Sequence, residues 1–225
     1  TATVATTVKG GAVTISSGVG TTTSSGSMTL YTSNAGVSGV SGQLVLSTGT
    51  ASSGNSGALY IGSGSAKSGR GGAVYVTVGS GDSGAGGELV LSAGTSSGTS
   101  GGRLTVKSGV SSAGRSGTLL LHTADSLGSG DLVLSTGAAT SGSSGSLLIG
   151  SGSSVSGVSG GIEIAVGSGN SGAGGDLVLS AGGTISADGR TGGLVTMTSG
   201  YSARMSSGSM TLYTSDAGVS GVSGQ

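Results

Sequence analysis

The sequence predicts an all-β fold, a β-solenoid of stacked rungs of about 15 residues. Three observations predict it. A frame, G-x-Φ-x-Φ-x-x-G with Φ aliphatic, recurs along all 225 residues. Its apolar positions lie two apart, the period of a strand and not of a helix. Gly, at 53 residues, recurs too often for a helix to persist, since each interior Gly costs about 1 kcal/mol.

The frame opens at Gly11, Gly26, Gly42, Gly57, Gly72, Gly87, Gly102, Gly117, Gly130, Gly145, Gly160, Gly175, Gly193 and Gly208, with a truncated start at Gly224. Ten of the fourteen spacings are 15 residues, and the others are 16, 13, 18 and 16. Positions three and five are aliphatic or Met in every rung, from Val13 and Ile15 to Met210 and Leu212. Position seven continues the same face and is small: Ser, Thr, Ala or Val. A tail such as "TASSGNS" or "SGDSGAG" follows, with the Gly and Ser chemistry of turns. Each rung is thus predicted to be one short strand and a tight return.

Two buried aliphatics cannot offset the ordering of a whole rung, so a rung needs neighbours to stack on. Stacking would align the aliphatics into columns. The motif "LVLS" returns at every third rung, which marks Leu44, Leu46, Leu89, Leu91, Leu132, Leu134, Leu177 and Leu179 as the core ladder. The same periodicity permits a three-sided coil of about 45 residues as the alternative. The narrow coil is preferred because six large aliphatics would leave the wide one hollow, and interiors are close-packed.

Longer repeats sit on top of the rung. Rungs three to six resemble rungs nine to twelve at a shift of 88 residues. Two six-rung blocks make a 182-residue period: residues 25–43 return at 207–225 with one change, Asn34 to Asp216. Residues 1–225 therefore read as a single continuous solenoid, an excerpt of a longer array. The opening "TATVATTVKG" aligns with the enlarged tail "GTISADGRTG" and reads as repeat interior.

Composition narrows the function. Only 7% of residues are charged and 2% aromatic, and the net charge is zero. The five Arg and three Lys stand singly, which leaves no basic patch for nucleic acid. No apolar run approaches the length of a membrane span. Disorder usually accompanies low hydrophobicity and high net charge, whereas this chain is 33% hydrophobic.

The phrases "SGxSG", "GSGDSGAGG", "LVLSTGTASSGNSG" and "GSGSAKSGRGG" resemble long Gly/Ser/Thr-rich tandem-repeat proteins of diatoms and related algae. The chain also resembles bacterial β-solenoid adhesins in general character, without their Asn and Asp content. The algal resemblance covers essentially the whole chain. It implies a large secreted protein of structural role, placed outside the cell or on its surface, with no catalytic residues to carry over.

His122 is the only His, and Asp125 follows it, as in a fragment of a hydrolase triad. Tyr31 and Tyr213 fill the same frame position elsewhere, so a solvated rung side chain is the better reading. The "GSGSAKSG" around Lys67 lacks the Gly-Lys pair of a phosphate loop. Asp82 in "GSGDSGAGG" has the flavour of a calcium repeat, but Asn170 replaces it in the matching block. No catalytic, cofactor or metal residue is expected, and the chain is expected not to be an enzyme.

Positions four and six face outward. In the "LVLS" rungs position four is Val45, Val90, Val133 and Val178, a candidate face for lateral contact between rods. β-Propensity alone also accounts for Val there. The expected function is a stiff extracellular fibre or wall component, its partner being further copies of itself. The alternative is a surface adhesion or ice-binding solenoid, although Thr196 and Thr198 form the only full outward Thr pair.

Overall fold

The computed structural model describes residues 10–185 and 188–224. Among the described residues none lies in a helix or a strand. The backbone is irregular, with bends recurring in the tails, at 37–39, 52–54, 67–69, 97–99 and 155–157 among others. This overturns the all-β expectation. Neither the 15-residue β-solenoid nor the 45-residue, three-sided alternative forms.

No described residue is buried, and the chain exposes 22396 Å². A compact protein of 20.5 kDa would expose about 8,800 Å². The intended core ladder shows the difference directly. Leu44, Leu46, Leu89, Leu91, Leu132, Leu134, Leu177 and Leu179 are all exposed, and Leu44, the most covered of them, is still 50% accessible. They are not a core. The outward row, Val45, Val90, Val133 and Val178, is exposed as well.

The physical reason lies in what each rung has to offer. Gly and Ser make up most of the tail, and Gly loses more backbone freedom on ordering than any other residue. Two aliphatics per rung supply little apolar area against that loss. A two-residue apolar period states which side chains a strand would bury. It does not supply a surface to bury them on.

The alternation nonetheless leaves a trace. Leu132 and Leu134 are 57% and 58% accessible, whereas Val133 between them is 78% accessible. Tail residues are barer still, with Val37 at 109%. In the rung of Leu132 and Leu134 the inner pair is better covered than the outward residue between them.

The chain divides into two units, Thr1–Gly117 and Thr118–Gln225. In the first, five tails close through a hydrogen bond back onto the frame's end: those ending at Gly26, Gly42, Gly57, Gly72 and Gly102, with a sixth at Gly117. In the second the tails ending at Gly145, Gly193, Gly208 and Gly224 do the same. The expectation for residues 1–9, and for Ser186 and Ala187 of the enlarged tail, falls outside the described residues.

Candidate functional site

The recurring local structure of this chain is a closed tail. At each rung boundary the frame glycine returns to position seven of the rung before it. A Cβ on Gly57 would stand 3.5 Å from Thr48 Cγ2, and one on Gly72 would stand 3.3 Å from Ser63 Cβ. The same pairing joins Gly26 to Ser17, Gly102 to Ala93, Gly145 to Thr136, Gly208 to Ser199 and the rest of the series. Where position seven is Val the approach is tightest. A Cβ on Gly87 would meet Val78 Cγ1 at 2.6 Å, and one on Gly175 would meet Val166 Cγ1 at 2.9 Å. Gly at position one and a small residue at position seven are therefore two halves of one steric fit.

Two kinds of hydrogen bond seal the fit. In one, the frame glycine donates its amide to the carbonyl at position eight: Gly26 to Gly18 at 2.9 Å, Gly102 to Gly94 at 2.8 Å, Gly117 to Gly109 at 2.9 Å. Gly193 to Gly182 and Gly208 to Gly200 follow the same pattern at 2.8 and 2.9 Å. In the other, the position-seven hydroxyl donates to the carbonyl of the frame glycine. Thr48 Oγ1 reaches Gly57 O at 3.1 Å, Ser63 Oγ reaches Gly72 O at 2.6 Å, and Thr136 Oγ1 reaches Gly145 O at 3.2 Å. Thr32 with Gly42 and Thr214 with Gly224, the two copies of one 19-residue stretch, close alike at 3.1 and 2.9 Å.

The tail absorbs the irregular spacings. Thr48 and Gly57 are nine residues apart and Thr32 and Gly42 ten. The short rung closes Thr123 on Gly130, and the long one closes Ala181 on Gly193. From position one to position seven the count never changes, so every insertion or deletion falls in the loop.

Within the tails, turn chemistry sets the reversal. Ser96 Oγ accepts from the amides of Gly98 and Thr99 at 3.3 and 3.1 Å. Ser111 Oγ accepts from Ala113 and Gly114 at 3.3 and 3.0 Å, and Ser202 Oγ from Met205 at 3.0 Å. These are the local hydroxyl-to-amide bonds that favour turns over regular structure. Gly84 and Gly172, three residues before their frame glycines, sit at φ +79° and +90°, a region that side chains resist.

The residues singled out for chemistry do not come together. His122 Nδ1 lies 3.0 Å from the carbonyl oxygen of Thr123. A carbonyl only accepts, so this pairing puts the proton on Nδ1 and spends that nitrogen on local backbone. A triad would spend it on a carboxylate. No group of three or more His, Cys, Asp or Glu is placed to hold a metal among the described residues. No pocket opens among them either. Asp82 lies in the bend at 82–85, and Lys67 in the bend at 67–69. No described helix is long and apolar enough to cross a membrane.

The closure itself escaped the sequence reading, although both of its halves were visible. Position seven, expected to continue the inward face, meets the next frame glycine, and its small size serves that contact. The signal was the constancy of both positions through rungs of unequal length.

No protein-family model matches the chain, and no curated protein and no solved structure matches it.

Proposed function

We propose that this chain is a repetitive structural protein of the cell exterior, one that forms fibre, wall or sheath material and performs no catalysis. The observation that carries this reading is the repeated closure. One unit, frame plus closed tail, is used at every rung boundary, and rungs of 13, 15, 16 and 18 residues all preserve it. Such a chain is a string of interchangeable units. Its properties come from their number and spacing, which is what a material demands and what a single active site does not.

The mechanism is not coil stacking within the chain. Each rung holds its own tail, and its aliphatics are left for other partners. The low charge and the many hydroxyls, with Gly at 53 of 225 residues, suit a hydrated, chemically inert matrix. Extracellular placement follows from the algal resemblance.

Electron microscopy of the native material, labelled with an antibody against a tail peptide, tests the reading. Label along extended fibres or a wall layer is the expected result. Label confined to discrete compact particles, or to the cell interior, overturns it.

A further inference from the structure

We propose that the frame aliphatics at positions three and five form a self-association surface whose partner is a second copy of this chain, matched rung for rung. The inference deepens the structural reading and rests on it for its biological use. The association itself is a property of the isolated chain.

The surface is large. All twenty-eight side chains at these positions, from Val13 to Leu212, are at least half exposed. Fourteen of them lie in each unit, and at roughly 60 Å² of apolar area each either unit offers roughly 840 Å², comparable to the ~800 Å² per partner of an ordinary stable interface.

The partner follows from the spacing. The pairs recur at 15 residues in ten of fourteen steps, with departures of 16, 13, 18 and 16. A partner without that series would meet only a few pairs. A second copy carries the same fourteen pairs in the same order. Charge does not oppose the pairing, since eight cationic and eight anionic residues leave zero net charge. The row Val45, Val90, Val133 and Val178 is a different surface, limited to every third rung, and lies outside this proposal.

Analytical ultracentrifugation of the purified chain gives the first test. The expected mass at micromolar concentration is twice 20.5 kDa or more. Replacing Leu44, Leu46, Leu89, Leu91, Leu132, Leu134, Leu177 and Leu179 by Ser should raise the dissociation constant at least about 100-fold. Replacing Val45, Val90, Val133 and Val178 by Ser should change it less than about threefold. Because the chain has no Cys, Leu89→Cys provides a second readout. Mild oxidation should give a disulfide dimer through residue 89 of both copies, and mixing with excess Leu104→Cys should not divert it.

A wild-type chain that stays monomeric up to about 100 µM overturns the proposal. So does an association that the Val substitutions abolish and the Leu substitutions spare. Concentration-independent protection of the aliphatics, which would mean pairing inside one chain, overturns it too. Labelled native fibres together with a monomeric isolated chain would sink this proposal alone and leave the structural role standing.

Discussion

Frame and tail, the two halves of each rung, obey different rules. The frame is constant in length and carries the aliphatics, yet it forms no strand and covers none of them fully. The tail varies in length and is mostly Gly and Ser, yet it brings together the two frame ends, position seven and the next frame glycine, that make the recurrent contacts. Ordered contact is thus found at the two ends of the frame and not along its aliphatic middle. Apolar alternation needs a second surface before it yields structure. A glycine fitted to a small neighbour needs only a loop short enough to bring the two together.

The comparison is broken most severely by filling the frame glycine where the fit is tightest. Gly87→Val places a branched side chain against Val78 Cγ1, which a bare Cβ would already meet at 2.6 Å. The closed tail should lose about 2 kcal/mol, and the nuclear Overhauser contact between the Val78 methyls and residue 87 should vanish. Adding Val78→Ala should restore part of it. If Gly87→Val leaves that contact in place, the steric account of position one is wrong.

Conformation at the bend ranks next. Gly84→Ala must hold φ near +79°, at a cost of about 1 kcal/mol. Gly86→Ala, with open space around it, should be silent. Equal responses of the two variants, read from the chemical shifts of residues 78–87, would remove the bend from the explanation.

Thr48→Val separates shape from hydrogen bonding. The methyl contact with Gly57 survives, but the hydroxyl donated to its carbonyl at 3.1 Å is gone. The expected loss is about 0.5 kcal/mol, read as a modest fall in the Thr48–Gly57 Overhauser intensity. Complete opening of the loop would give the hydroxyl more weight than the fit.

Length should matter least. Inserting Gly-Ser after Ser53 lengthens the loop between Thr48 and Gly57, which are nine residues apart. Closure should weaken by only about 0.2 kcal/mol, since loop entropy rises slowly with length. A tail that opens on this insertion would contradict the natural pairings of Thr123 with Gly130 and Ala181 with Gly193.

What the sequence made legible is the unit and its boundaries. The frame glycines, the small position seven and the turn residues were all found where the structure uses them. The β-solenoid drawn from them was not found, because Leu44, Leu46 and their counterparts report a potential face and not an occupied one. Periodicity is blind to whether neighbouring rungs bind more tightly than Gly-rich backbone resists ordering. The closure was hidden for another reason. It joins residues seven to twelve apart through carbonyls, amides, hydroxyls and small side chains common to the whole chain, so no rare residue type marks it.

Since every change in rung length is confined to the loop after position seven, that loop is a natural place to splice in foreign sequence. An affinity peptide, an enzyme recognition site or a mineral-nucleating segment grafted between Ser53 and Gly54 would be displayed outward. Tandem copies of such a graft would arrive at intervals set by the host repeat, turning the chain into a ruler for whatever it carries.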